Sequence, residues 1–304
     1  MIQYILTRLR SLFHNDNSLE AEPFYIENRR PIEGTVILLI NSRWDRKQTP
    51  FKMYVSKNGK QYHRVYNRGA TVKPNKRLYI AVKVFNEHAD YEYLPYKFCE
   101  CNHIKYNIGG DISCLLAGPH TKPILDLSNY KGGLQNIFMN EWVVDASDLK
   151  LPAMKLCKEC YVGMFYKCAF LQYPPKVLPC EELAPECYMM MFYETDLSMP
   201  PKINATKYAT DCFFSMFYGC YNLSKPMSMN VNAFVEYLKD ADNFDAIISD
   251  YIDSKFGKVS FDRTGVWKPN HMINIMQMCA YYVYCSMYYG VGQYLEQNIP
   301  LYST

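Results

Sequence analysis

Apolar residues follow three different spacings along this chain. Over residues 1–15, Ile2, Ile5, Leu6, Leu9, Leu12 and Phe13 recur at helical spacing, with Arg8 and Arg10 opposite. This predicts an amphipathic helix. A helix so short is marginal alone in water. It is therefore expected to dock through Ile2, Ile5, Leu6, Leu9 and Phe13, either on its own chain or on another subunit. Residues 20–97 read instead as strands. Residues 35–40 form a buried-strand run, 51–55 and 61–66 alternate on either side of Asn58-Gly59, and 78–84 close the set. Asn-Gly between alternating stretches is a hairpin signal. Several short strands with turns between them predict a small sandwich. There is no Cys…Trp…Cys pattern, so an Ig-like module is expected rather than an antibody-type domain.

The third spacing is a repeated phrase. Cys160-Tyr161-Val162-Gly163-Met164-Phe165-Tyr166-Lys167-Cys168 returns as Cys187-Tyr188-Met189-Met190-Met191-Phe192-Tyr193. It returns again as Cys212-Phe213-Phe214-Ser215-Met216-Phe217-Tyr218-Gly219-Cys220. The phenylalanines thus recur at near-equal intervals, at positions 165, 192 and 217. Phe138 lies one such interval before Phe165, and Tyr288 holds the same place in a degenerate copy well beyond Phe217. A period in this range predicts stacked coils, each unable to bury its apolar side alone. Pro174-Pro175, Pro200-Pro201 and Pro226 follow the three clear copies. Proline cannot continue a helix or a central ladder, so these mark the corners between coils. The expected coil is a short strand, a turn and a short helical segment that carries the Cys-Tyr and Met-Phe pairs inward.

Leu151-Pro152-Ala153, then Cys-Tyr, then Met-Phe-Tyr-Gly-Cys at 216–220, then proline resembles the BspA-like leucine-rich repeat. That family occurs in surface proteins of gut anaerobes and in their phages. The resemblance covers residues 136–227 and 272–300. The stretch 106–116 is similar to the one that joins an Ig-like module to the repeats in such proteins. The fold so implied is mixed α/β, an N-terminal Ig-like β-sandwich followed by a short leucine-rich-repeat solenoid with a helical insertion. Its parts are a docking helix and linker at 1–19, an Ig-like domain at 20–97, a junction at 98–135 and the solenoid at 136–304. The insertion falls at 228–270.

Charge changes this picture more than composition does. The chain carries +3 overall, yet residues 29–77 hold 13 Lys and Arg against Glu33 and Asp45, a local excess of 11. The remainder is therefore at −8. A basic module beside an acidic one points to an acidic partner surface or head-to-tail packing of subunits. The basic residues form no known nucleic-acid motif, so nucleic acid is not expected as a partner. No stretch reaches the ~18 apolar residues that a membrane span needs. The first residues carry charge within their apolar run and lack a small-residue cleavage site, so no export signal is expected.

Twelve cysteines raise the question of metal or disulfides. Cys157-x-x-Cys160 has zinc-like spacing, and Cys168 and Cys180 complete a set of four. But Cys160, Cys187 and Cys212 share one slot of the repeat, and Cys168 and Cys220 another. Residues that recur in register are explained by coil shape, where free cysteine acts as a small buried hydrophobe. The expected repeat core is Phe138, Cys160, Phe165, Cys168, Cys187, Phe192, Cys212, Phe217, Cys220 and Tyr288. Asp240, Asp242 and Asp245 lack the further oxygen and glycine of a calcium loop. Ser113 lacks the flanking glycines of a nucleophile elbow. No catalytic set and no cofactor is expected.

The expectation is a non-enzymatic virion protein of a bacteriophage, a head or tail fibre, decoration or attachment component assembled in the host cytoplasm. Its expected partners are capsid, tail or fibre subunits, further copies of itself, and a host surface glycan or protein. The alternative is a bacterial cell-surface adhesin or glycan binder.

Overall fold

The computed structural model describes residues 20–40, 51–85, 94–100, 104–130, 132–220 and 222. The predicted docking helix, the 228–270 insertion and Tyr288 lie outside these residues. Eleven strands follow in order: β1 Tyr25–Asn28, β2 Gly34–Ile40, β3 Phe51–Ser56, β4 His63–Val65, β5 Gly69–Val72, β6 Arg77–Val84, β7 Tyr96–Glu100, β8 Tyr106–Asp111, β9 Val143–Lys150, β10 Val177–Leu178 and β11 Lys202–Ile203. Six of them form one sheet in the order β4-β3-β6-β1-β8-β9, and β5-β2-β7 form a second. The alternation read from the sequence sets the faces. Phe51, Met53 and Val55 of β3 are buried while Lys52 and Tyr54 are half-exposed. The two sheets meet through rings, with Phe51 and Tyr96 at 4.9 Å and Phe24 and Phe98 at 6.0 Å. Asn58-Gly59 lies in a longer β3–β4 connection, from Lys57 to Tyr62, and not in a tight hairpin turn. Gly59 has φ +72° there, and Ser56 Oγ and Asn58 Oδ1 accept the loop's backbone N–H groups.

The expected mixed α/β class is overturned. Among the described residues the only helix is α1, the four residues Cys114–Ala117, and all other regular structure is strand. The short helical segment expected in each coil is absent too, for a reason visible in the backbone. Within 159–168 the N–H groups divide by parity. Those of Tyr161, Gly163, Phe165 and Lys167 donate to the carbonyls of Cys187, Met189, Met191 and Tyr193 in the next coil, at 2.8–3.0 Å. Those of Val162, Met164, Tyr166 and Cys168 close tight turns onto the carbonyls three residues back, at 2.9–3.2 Å. An α-helix needs every interior N–H for its own i−4 carbonyl. Half of them are committed here to the neighbouring coil.

The same scheme links Leu134, Asn136, Phe138 and Asn140 to Cys160, Val162, Met164 and Tyr166. It also links Tyr188, Met190, Phe192 and Glu194 to Cys212, Phe214, Met216 and Tyr218. A left-handed residue recurs every fourth position: Glu159, Gly163 and Lys167, then Glu186, Met190 and Glu194, then Asp211, Ser215 and Gly219. Overlapping turns with this rhythm keep the chain from winding into a helix.

The opposite side of each coil is extended. β9 pairs in parallel with β8, Ala146 and Gln172 continue the ladder through Tyr173 and Val144, and β10 pairs in parallel with β11. The six-stranded sheet thus runs on into the coils, and one hydrophobic core spans both. β8 and α1 occupy the stretch expected to be a loop-rich junction.

Candidate interaction surface

Each repeated word buries its cysteine, the aromatic after it, its methionine and its phenylalanine, and leaves the tyrosine after the phenylalanine half-exposed. The phenylalanines face inward and stack: Phe24 on Phe138 at 6.0 Å, Phe138 on Phe165 at 5.5 Å, then Phe165 on Phe192 and Phe192 on Phe217 at 5.6 Å, both within 4° of parallel. Phe138, Phe165, Phe192 and Phe217 are fully buried. Beside them Tyr161 stacks on Tyr188 and Tyr188 on Phe213. Cys160, Cys187 and Cys212 are buried in one column. Cys168 and Cys220 are buried in a second, and their thiols donate to the carbonyls of Phe138 (2.9 Å) and Phe192 (3.0 Å) in the preceding coil. Thr195 holds this slot in the middle coil and bonds both Phe192 O and Cys220 Sγ. The column is thus a row of small S–H and O–H groups that satisfy phenylalanine carbonyls.

The tyrosine after each phenylalanine points the other way. Tyr166, Tyr193 and Tyr218 are half-buried and stack at 4.7 Å, within 14° of parallel. Burial between its neighbours, then the Glu194 carboxylate, pushes the Tyr193 phenol up to about 12. Ion pairs flank the ladder: Lys167 with Glu194 at 3.5 Å, and Lys158 with Glu159 and Glu186 at 3.4 and 3.2 Å.

Where the first coil meets the sheets, a cleft of about 180 Å³ opens between Lys97, Phe98 and Cys99 of β7 and Met139, Asn140, Glu141 and Trp142. Asn140 donates its N–H to Tyr166 O, so the cleft adjoins the foot of the tyrosine ladder. Trp142 packs on Phe170 at 4.9 Å, and Lys105 lies over the Phe170 ring at 3.8 Å. Buried Glu141 accepts from Tyr106 Oη at 2.8 Å.

This surface offers flat rings flanked by carboxylates and ammonium groups. Its groups are suited to stacking, hydrogen bonding and charge pairing. Among the described residues no group of three or more His, Cys, Asp or Glu could hold a metal ion. Cys157, Cys160, Cys168 and Cys180 therefore do not converge as ligands, and the nine described cysteines are free thiols. Of the predicted site residues, Phe138, Phe165, Phe192, Phe217 and the five repeat cysteines come together in the columns. Tyr288, Ile2, Ile5, Leu6, Leu9 and Phe13 lie outside the described residues. Sequence reasoning missed Trp142, Phe170 and Lys105, which sit outside the repeated words. It saw Tyr166, Tyr193 and Tyr218 without assigning them a side. The signal available was the tyrosine that directly follows the phenylalanine in each clear copy.

In basic residues 51–77 the arginines are partly engaged: Arg77 pairs with Glu27 at 2.9 Å and lies over the Tyr25 ring at 4.0 Å. Among the described residues no helix is long and apolar enough to cross a membrane. Apart from α1, the described residues form an all-β arrangement in which a two-sheet unit continues into a stacked coil ladder. Compared with protein-family models, curated proteins and solved structures, the chain matches none.

Proposed function

We propose that this chain is a non-catalytic structural protein of a bacteriophage virion, a fibre, decoration or attachment component that works through protein–protein contacts. The observation that carries the structural role is the unbroken aromatic column from Phe24 to Phe217, with its matching backbone ladder. It makes the sheets and coils one stiff body with regularly spaced outward groups, the kind of surface a solenoid presents to partners. The attribution to a phage rests on the likeness of the Met-Phe-Tyr-Gly-Cys words to the BspA-like repeat.

The test is mass spectrometry of purified particles of the phage that encodes the chain. Peptides of this protein are expected in proportion to other minor structural proteins. Their absence from intact particles overturns the reading.

A second reading, a glycan-binding adhesin, is favoured by the tyrosine ladder and the Trp142–Phe170 pair. Aromatic rings with a polar tip suit partly wet contact surfaces. Glycan-array binding that disappears in Trp142→Ala, with no particle association, would select it.

A further inference from the structure

Cys157 stands where the repeat otherwise places alanine. Three positions before Cys160, Cys187 and Cys212 come Cys157, Ala184 and Ala209. Coil shape accounts for Cys160 and leaves Cys157 unexplained. The two thiols end a turn with Lys158 and Glu159 between them, and Glu159 is left-handed at φ +59°. The equivalent turns close Cys187 N–H onto Ala184 O at 3.3 Å and Cys212 N–H onto Ala209 O at 3.2 Å. Such a turn holds its end Cα atoms within about 7 Å, and a disulfide spans about 4.4–6.8 Å.

The two thiols act on each other's ionisation, Cys160 favouring the Cys157 thiolate and Cys157 disfavouring that of Cys160, and the Gly133 N–H closes its own turn onto Tyr130 O at 2.9 Å. Gly133 leaves room for the pair, since a Cβ there would stand 2.8 Å from Cys160 Sγ. Cys157 is 8% exposed, more than any described cysteine except Cys99, while Cys160 is 0% exposed. The Tyr161 hydroxyl is buried beside them without a hydrogen-bond partner.

We propose that Cys157 and Cys160 form a reversible dithiol–disulfide site whose substrate is a low-molecular-weight disulfide of the glutathione type. The Cys157 thiolate attacks one sulfur of glutathione disulfide, forming a mixed disulfide and expelling one glutathione thiolate. The Cys160 thiol then gives up its proton to that thiolate and attacks the Cys157 sulfur. The second glutathione leaves as a thiolate and takes the proton released when Cys157 ionised. The protein loses two hydrogen atoms and two electrons, and glutathione disulfide becomes two glutathione molecules. The division of roles follows exposure: Cys157, the less buried of the two, attacks, and the fully enclosed Cys160 resolves. In keeping with this, the neighbouring Cys160 thiol holds the Cys157 thiol below its ordinary value. Burial pushes the Cys114, Cys160, Cys180, Cys187 and Cys212 thiols up.

Lys158 supplies the readout. Trypsin cuts the reduced, unfolded chain between the two cysteines, so they appear in separate peptides. After oxidation the two peptides stay joined at a mass two hydrogens below their sum. The full-length chain is incubated with glutathione disulfide, quenched with acid, blocked and digested. The joined peptide is expected from the wild type, and glutathione should reverse it. Cys157→Ala introduces the residue of the sister coils and should give neither the joined peptide nor a glutathione adduct at Cys160. Cys160→Ala should stall as a glutathione adduct on Cys157. Iodoacetamide at neutral pH should label Cys157 at least about tenfold faster than Cys212. A wild-type chain that stays reduced at 157–160, or that stops at a Cys157 adduct, overturns the proposal whether or not either variant folds.

Discussion

The left-handed positions are where single residues decide most. Column by column they read Asn136, Gly163, Met190, Ser215 and Asn140, Lys167, Glu194, Gly219. An L-residue pays about 1–2 kcal/mol to be left-handed, and glycine escapes this at an entropic cost of about 0.5–1 kcal/mol. Gly163→Ala is therefore expected to lower stability by about 0.5–1 kcal/mol, and by more if Asn136 does not yield, because the new Cβ would collide with Asn136 Oδ1. Glu194→Gly should raise stability by about 0.5 kcal/mol, since the exposed ion pair to Lys167 and the contact with the Tyr193 phenol that are lost contribute little. Urea denaturation of the two variants checks the opposite signs. These positions were not legible in the sequence. Gly163 and Gly219 announce themselves, but Glu159, Lys167, Met190 and Glu194 carry no local preference for such a backbone. The coil-to-coil hydrogen bonds impose it.

At the scale of the coil, the stacked columns carry the energy. Phe192 touches a ring above and a ring below, so Phe192→Ala should cost about 3–5 kcal/mol. Tyr193→Ala, on the outer ladder, loses two stacks of about 0.5–1.5 kcal/mol each. Chemical denaturation should rank the two, and equal losses would mean that the inner column is not the tighter one. The even spacing of Phe138, Phe165, Phe192 and Phe217 was readable because packing, a sequence-level demand, fixes it. The shape of the coil was misread because Met-Phe-Tyr words between prolines fit a short helix as well as they fit turns. Only the destination of the N–H groups separates the two, and that lies a whole coil further along the chain.

At the scale of the whole molecule, sheets and coils share one core, so thermal unfolding of the described region should be a single transition. It should also depend on alkaline pH. Burial pushes the thiols of Cys114, Cys180 and Cys220 up to about 11 and that of Cys212 up to about 12. An unfolded thiol ionises near 9.0. Above that pH the unfolded chain binds fewer protons than the native one. The stabilisation is therefore complete below pH 9 and is lost as pH rises toward 11–12. A Tm series from pH 8 to 11 should fall steadily, and a flat profile would show these thiols to be open to solvent. The strands β3 and β4 coincide with stretches that alternate in the sequence, and β2 and β6 with the apolar run at 35–40 and the stretch at 78–84. The parallel join of β8 to β9 does not show there, because Val143–Lys150 is mixed in polarity and a long connection separates it from β8.

That join gives the molecule a growing end. β8 is complete before β9 is synthesised, β9 offers its free edge to the following strand segment, and every later turn finds a finished template beneath it. Length then becomes adjustable in whole storeys. Excising residues 166–192 would set Phe165 directly before Tyr193, leaving every contact type in place and the mast one floor shorter.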